Sequence, residues 1–288
     1  MRIVITGAAG QVGRWLVCHA AERGIDTAGL GRTELDVTDP AAVAALELES
    51  DDVLVNCAAY TAVDAAESDV DGARALNGAA PGLLAARCGE VGARLVHIST
   101  DYVFGPAAVP RRPWEPGDPC APTSVYGRTK LAGERAALAA DPRTTVVRTA
   151  WVYTGASGTS DFVGTMRRLA GGGVDPRVVD DQVGSPTYAS DLAAGLLDLA
   201  DLLATEPDRP GGVVHAAGAG AVSWFEVARA VFDGVGAGAE RVSPCTTAEF
   251  PRPAPRPAYS VLSPASWIDL GLRPLPEWRD ALGRALAG

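Results

Sequence analysis

A chain of 288 residues, 47% of them hydrophobic, is long enough to bury a large core, and a mean hydropathy close to zero fits an ordered globular protein. A net charge of −10 without a dense run of Lys or Arg makes nucleic acid and anionic membrane surfaces poor partners. It leaves room for an anionic nucleotide held by a few local arginines and backbone N–H groups. No window approaches the roughly 20 apolar residues of a membrane span. The five cysteines are scattered without CxxC spacing, and the three histidines lack ligand spacing. The expectation is therefore a cytoplasmic protein with neither a disulfide framework nor a bound metal.

The chain starts directly with an apolar strand, 2–6, and shows no signal-peptide layout. A glycine turn leads into a helix over 11–23, closed by Gly24, and 27–30 reads as the second strand. Thr38-Asp39-Pro40 is a helix start, with a capping side chain and proline in the first turn. Strands follow at 53–57, 94–99 and 145–148, separated by helical stretches. This alternation predicts a parallel sheet with helices on both faces. After Ala150, glycine and proline become frequent. A helix over 191–204 and a strand over 213–216 read as a return to the sheet, whereas Pro251–Pro257 reads as an extended strap. The expected architecture is α/β: a Rossmann-type doubly wound parallel sheet over 1–150, with 187–215 returning to it. A smaller, loop-rich C-terminal substrate-binding lobe comprises 151–186 and 216–288.

Gly7-Ala8-Ala9-Gly10-Gln11-Val12-Gly13 follows the first strand and opens the first helix. In that setting Gly7 permits the tight turn, Gly10 lets a pyrophosphate approach the backbone, and Gly13 lets helix and strand pack closely. The helix start then offers free N–H groups to the phosphates. At the end of the second strand, Leu30-Gly31-Arg32-Thr33 carries no carboxylate for two ribose hydroxyls, and Arg32 suits a 2′-phosphate. NADPH is the expected cofactor, with NADH as the alternative; a solvated loop arginine is the competing reading of Arg32. Asp36 and Val37 stand where an adenine edge would lie. Ala58, Ala59 and Tyr60 follow a strand end, where small residues leave space for a cofactor.

Tyr126 and Lys130 form a YxxxK pair, which a helix places on one face. A carbonyl receiving hydride must collect a proton, and tyrosine is a poor acid at its ordinary pKa of about 10. A nearby ammonium is expected to pull that value toward neutrality. The third member is a hydroxyl at a strand end: Thr100 in Ser99-Thr100-Asp101, placed to stabilise the developing oxyanion. Ser99 and Asp101 are the less favoured actors.

With these residues in hand, the chain resembles the dTDP-4-dehydrorhamnose reductases, a branch of the extended short-chain dehydrogenases/reductases. The resemblance runs through ITGAAGQVG, LDVTD at 35–39, VNCAAYTAVDAAE at 55–67, STDYVF at 99–104 and YGRTKLAGE at 126–134. It continues through RTAWVY at 148–153, DQVGSPTYASDLA at 181–193, HAAGAGAVSW at 215–224 and RPAYS at 256–260. It implies a catalytic set of Thr100, Tyr126 and Lys130. It implies cofactor contacts at Gly10, Gln11, Val12, Asp36, Val37, Ala58, Ala59, Tyr126 and Lys130. The dTDP-linked 4-keto-6-deoxysugar would meet Thr61, Val63, Thr100, Asp101 and Trp151, and Arg256 would suit its pyrophosphate. Without the resemblance, Trp151 reads as a core aromatic. Asp161 and Tyr259 stand where the family commonly has Asn, and Gly105-Pro106 where it has Asp-Gly. Trp15 and Ser190 replace the acidic residues of metal-assisted dimers, leaving a monomer or a plain homodimer as the expectation. Two alternatives remain: a ketoreductase for another deoxysugar, and a non-catalytic NADP-binding regulator. An epimerase or dehydratase is disfavoured, because Asp101 is followed by Tyr102 rather than a second acid.

Overall fold

The computed structural model describes residues 1–105, 112–156 and 158–287; Pro106, one of the departures noted above, lies outside them. The N-terminal half contains β1 (Ile3–Thr6), α1 (Gln11–Glu22), β2 (Thr27–Leu30), α2 (Pro40–Ala44) and β3 (Val53–Asn56). It continues with α3 (Val70–Ala73), α4 (Ala80–Val91), β4 (Arg94–Thr100), α5 (Val125–Ala140) and β5 (Thr145–Thr149). Then come β6 (Val152–Tyr153), α6 (Phe162–Gly171), β7 (Arg177–Val179), β8 (Val183–Gly184), β9 (Thr187–Tyr188) and α7 (Ala189–Thr205). The chain ends with β10 (Gly212–His215), β11 (Val222–Ser223), α8 (Trp224–Gly234), β12 (Ser243–Cys245), α9 (Ala265–Ile268) and α10 (Trp278–Ala287).

Six strands form one sheet in the order β10-β5-β4-β3-β1-β2, and every pairing is parallel. β1 and β3 are buried on both faces, as strands covered by helices on each side must be. The chain direction across the sheet reverses between β1 and β3, and the strand ends there open the crevice in which ligands of such folds bind. On one face α1 packs on α7 through Leu16, Ala20, Leu192, Leu196 and Leu199. On the other, Leu84, Ala85 and Cys88 of α4 cover Leu54 and Leu95.

A second core built from Val163, Met166, Val227, Val231, Phe232, Trp278 and Leu282 holds α6, α8 and α10 together. The division expected at residue 216 is not clean. Trp267 and Leu275 belong to the sheet's core beside Leu192 and Leu196, so part of the C-terminal segment rejoins the first half. The reason is size and polarity: the Trp267 indole is 1% exposed, fits over Gly195, and donates its N–H to the Arg273 carbonyl at 2.9 Å. The strap at 251–257 has neither helix nor strand and is tied down at its end by bridges of Tyr259 to Val183 and Leu262 to Trp114. Among the described residues no helix is long and apolar enough to cross a membrane.

Candidate active site

A cavity of about 550 Å³ opens where β1, β3, β4 and β5 end, between the sheet and the smaller core. Its floor on the sheet side is the start of α1. Gly7 holds φ +66°, and a Cβ there would lie 2.6 Å from the Ala58 nitrogen, so no other residue fits this turn. A side chain on Gly13 would strike the Gly7 carbonyl and Ala8. Gly10 caps α1 without a side-chain hydrogen bond, and no acidic residue occupies the first turn. The N–H groups of Gln11 to Gly13 thus reach the cavity wall unneutralised, a setting that suits a pyrophosphate.

The third strand's exit supplies Cys57, Ala59, Thr61 and Val63 to the same cavity. Ala58 and Tyr60 lie just behind. The Asn77 side chain accepts from the Tyr60 N–H at 2.8 Å and donates to its carbonyl at 3.0 Å, which fixes this segment.

Thr100, Asp101, Tyr126 and Lys130 all face the cavity. Their placement follows from two local features. Ser124 caps α5 by accepting from the Gly127 N–H at 3.0 Å, starting the helix just before Tyr126. One turn beyond Lys130, buried Glu134 accepts from Ser99 at 2.5 Å and pairs with Arg148 at 2.7 Å, locking α5 to β4 and β5. Ser99 is thus an anchor for the helix.

The electrostatics differ from expectation. Burial pushes the Tyr126 phenol up to about 12; a hydrogen bond with Thr100 opposes this, and Asp101 adds to it. Lys130 does not pull the phenol toward neutrality, because the loss of hydration outweighs any attraction. Burial instead lowers Lys130 to about 8, against the pull of Glu134 and Cys57. Burial also raises Asp101 to about 6, and its Oδ2 is a buried oxygen without a hydrogen-bond partner. That orphaned acceptor on a cavity wall is a place for a hydroxyl donor.

Trp151 is the only non-glycine among the described residues at positive φ, +47°. It is held there from both sides. Its ring stacks on Trp224 at 3.6 Å between centroids and 6° between planes, and it lies directly over Gly184, where a Cβ would collide with the indole. Phe162 extends the wall, 4.4 Å from the Trp224 centroid. Both indoles line the cavity.

Several expected contacts stand elsewhere. Val37 is 4% exposed and packs in the core with Leu35 and Val43, which leaves only its backbone to face a ligand. Asp36 is occupied by the N–H and hydroxyl of Thr38, at 2.9 and 2.6 Å. Arg32 is exposed at the end of β2. Just beyond Leu30-Gly31-Arg32-Thr33, Glu34 folds back into the same turn, its oxygens accepting from the Gly31 N–H at 2.8 Å and the Thr33 hydroxyl at 2.7 Å. Arg256 is not on the cavity wall. It pairs with Asp64 and donates to the Ala254 carbonyl at 2.7 Å, while Arg252 reaches the same Asp64 at 2.9 Å.

Sequence reasoning passed over Trp224 and the placement of Asp161. Ser223, followed three residues later by Glu226, is a legible helix start that sets Trp224 in the first turn. Asp161 caps α6 through the Gly164 N–H at 2.8 Å. Its other oxygen accepts from the Thr154 N–H and hydroxyl, the Thr159 hydroxyl and, at 3.4 Å, the Gln11 amide. A second hollow of about 390 Å³, beside Asp181, Cys245 and Glu249, holds none of the expected residues.

A parallel sheet with a glycine turn after β1 and a Thr–Tyr–Lys set around the crevice is the arrangement of an extended short-chain dehydrogenase/reductase. The family model described as RmlD substrate binding domain matches residues 1–288, and the chain belongs to that family. It is 54% identical over 288 residues to a dTDP-4-dehydrorhamnose reductase of Mycobacterium tuberculosis, covering 99% of this chain and 92% of the relative. A probable dTDP-4,6-dihydroxy-2-methyloxan-3-one 4-ketoreductase of Streptomyces antibioticus is 49% identical over 296 residues, covering 99% of this chain and 94% of the relative. Among solved structures, the dTDP-4-dehydrorhamnose reductase of Bacillus anthracis in complex with NADP superposes with a TM-score of 0.90 at 33% identity, covering 99% of this chain and 98% of that one.

Proposed function

We propose that the protein is an NADPH-dependent reductase of the C4 keto group of a dTDP-linked 4-keto-6-deoxysugar, turning dTDP-4-dehydro-L-rhamnose into dTDP-L-rhamnose. The observation that carries this reading is the meeting of Thr100, Tyr126 and Lys130 with the first turn of α1 around one cavity. The names of the M. tuberculosis and B. anthracis relatives, and the NADP bound by the latter, support it.

A bound dinucleotide would supply the hydride for the carbonyl carbon; the protein handles charge and protons. The backbone N–H groups from Gln11 to Gly13 would hold the pyrophosphate, with Gly10, whose own N–H is donated to the Gly7 carbonyl, letting it approach the backbone. Arg32 would meet the 2′-phosphate, Asp36 and the Val37 backbone would border the adenine, and Ala58 to Tyr60 would leave room for the rest. Tyr126, kept protonated by burial, bonds the keto oxygen and gives it a proton as negative charge develops. Thr100 shares that oxygen and steadies the phenolate left behind, and the Lys130 ammonium lowers the cost of that charge. Asp101 accepts from a sugar hydroxyl through its free oxygen. Thr61, Val63 and the stacked indoles of Trp151 and Trp224 close the cavity around the sugar. Arg256 serves the diphosphate once it leaves Asp64.

A second substrate, another 4-keto-deoxysugar, is favoured by the S. antibioticus relative and by Asp161 and Tyr259, which depart from the family pattern. The test is NADPH oxidation by purified protein with dTDP-4-dehydro-L-rhamnose made in place and NADH run alongside. Substrate-dependent oxidation yielding dTDP-L-rhamnose establishes the reaction. Turnover only with other ketosugars selects the second substrate, and cofactor binding without any turnover points to a regulatory protein.

A further inference from the structure

Lys130 ends a line of buried polar groups that crosses three neighbouring strands. Thr6 on β1, Asn56 on β3 and His97 on β4 sit side by side in the parallel register, each at most 1% exposed. Thr6 donates its hydroxyl to Asn56 Oδ1 at 2.6 Å, and the Ala58 N–H donates to the same oxygen at 3.1 Å. Asn56 Nδ2 lies 3.0 Å from His97 Nδ1. His97 Nε2 lies 3.5 Å from Lys130 Nζ, which donates to the Ile98 carbonyl at 2.6 Å.

Counting protons along this line fixes each one. The Ala58 N–H can only donate, so the Asn56 atom facing it is oxygen, and the amide nitrogen faces His97. That nitrogen can only donate, so His97 Nδ1 accepts and carries no proton. Burial first, and then the charge of Lys130, hold His97 neutral, far below the usual imidazole range. A neutral imidazole has one N–H, and here it is on Nε2, pointing at Lys130. An ammonium has no lone pair with which to receive it, whereas a neutral amine does. The imidazole therefore favours the uncharged form of Lys130. The other ionisable groups facing Lys130 are Glu134 one turn on, Tyr126 one turn back and Cys57 at the end of β3. Glu134 and Cys57 pull the other way, but the Cys57 thiol is pushed up to about 12 by burial and stays neutral.

We propose that Asn56 and His97 are positioning residues for the reduction: they turn an N–H rather than a lone pair toward Lys130 and so loosen its hold on its proton. A lysine whose charge is held this loosely reaches its neutral form within the working range of pH. The alkaline limb of activity then belongs to Lys130 and is set from behind by the strand residues. The proposal rests on the reductase reading, but its first test needs no turnover.

With only three histidines, His19, His97 and His215, 15N-labelled imidazoles are resolvable by long-range 1H–15N correlation, and His97→Gln assigns the signals of His97. The expected result is a bare Nδ1 and a protonated Nε2, unchanged from about pH 6 to 9, a span that brackets the ordinary imidazole value. A proton on Nδ1, or titration within that span, overturns the proposal. The second test is Asn56→Asp, which keeps an acceptor for Thr6 and Ala58 but sets another opposite Nδ1. The proton then moves to Nδ1, a lone pair turns to Lys130, and the alkaline limb of kcat/KM rises by about one to three pH units. His97→Gln, which retains an acceptor toward Asn56 and an N–H toward Lys130, keeps the limb in place. A merely structural pair would lower the amplitude in both variants and leave the limb unmoved, which also overturns the proposal. If Asn56→Asp does not fold, the tautomer of the wild-type imidazole decides alone.

Discussion

Tyr126 keeps its proton because water cannot reach the charge that would replace it, and that suits a donor better than a phenol already half ionised. The phenol, raised to about 12, is protonated throughout the neutral range, whereas Lys130, lowered to about 8, loses its charge as pH rises through that value. Activity should therefore fall above about pH 8 through Lys130, long before the phenol titrates. Tyr126→Phe removes the proton donor but no packing, so kcat should drop about 100- to 10,000-fold while titration of cofactor fluorescence shows nearly unchanged binding. Asp161 presents a different residue-level requirement. Its two oxygens serve donors on opposite sides, so Asp161→Asn must turn an amide N–H toward either Gly164 or Thr154. The unsatisfied backbone donor should cost about 1–3 kcal/mol, read as a lower urea midpoint with an unchanged m-value. An unchanged midpoint would mean that the family's usual asparagine fits this chain as it stands.

At the level of elements, the strap over 251–257 is fastened along its own length by charge, with β-bridges only beyond its end. Asp64 receives Arg252 and Arg256 and the Ala254 N–H at 3.2 Å. Burial raises the Asp64 carboxyl, but the two guanidinium groups and the N–H outweigh it and leave the group below its ordinary range. A depressed carboxylate stabilises the fold above its unfolded value of about 3.9, and that contribution fades as pH falls through the lower folded value. Asp64→Ala should thus lower the urea midpoint at pH 7, with the gap to wild type closing in stronger acid. An equal gap at pH 7 and well below pH 3 would show that the fastening is not electrostatic. Elements of this kind divide sharply in how far sequence reveals them. The six strands of the large sheet and α1 were legible because apolar runs and Gly7–Gly13 act within a few residues of chain, and their boundaries fall within two residues of expectation; of α5 only the Tyr126–Lys130 spacing was legible, and the short strands β6 to β9, β11 and β12 were not. The pairing of Asp64 with Arg256 and of Trp151 with Trp224 was not, since no periodicity links residues that meet only through the fold. The core position of Val37 was also illegible, because alternation in so short a segment does not say which side is covered.

Across the whole molecule, the two cores are not independent. Trp267 reaches back from the C-terminal segment to the leucines of α7, while Arg284 on α10 pairs with Asp191 at the start of α7 at 2.7 Å. Trp267→Ala should cost about 3–5 kcal/mol, and the unmodified chain should unfold in a single transition by both fluorescence and circular dichroism, because its two halves share this anchor. Separate transitions would show that the lobe folds alone. The Trp151 wall carries a consequence of another kind, for descent rather than for chemistry. Its backbone is tenable only while residue 184 lacks a side chain and residue 224 offers a flat ring. A drift at any one of these positions strands the other two, so lineages that reshape this pocket for a different sugar should change all three as a block, or none.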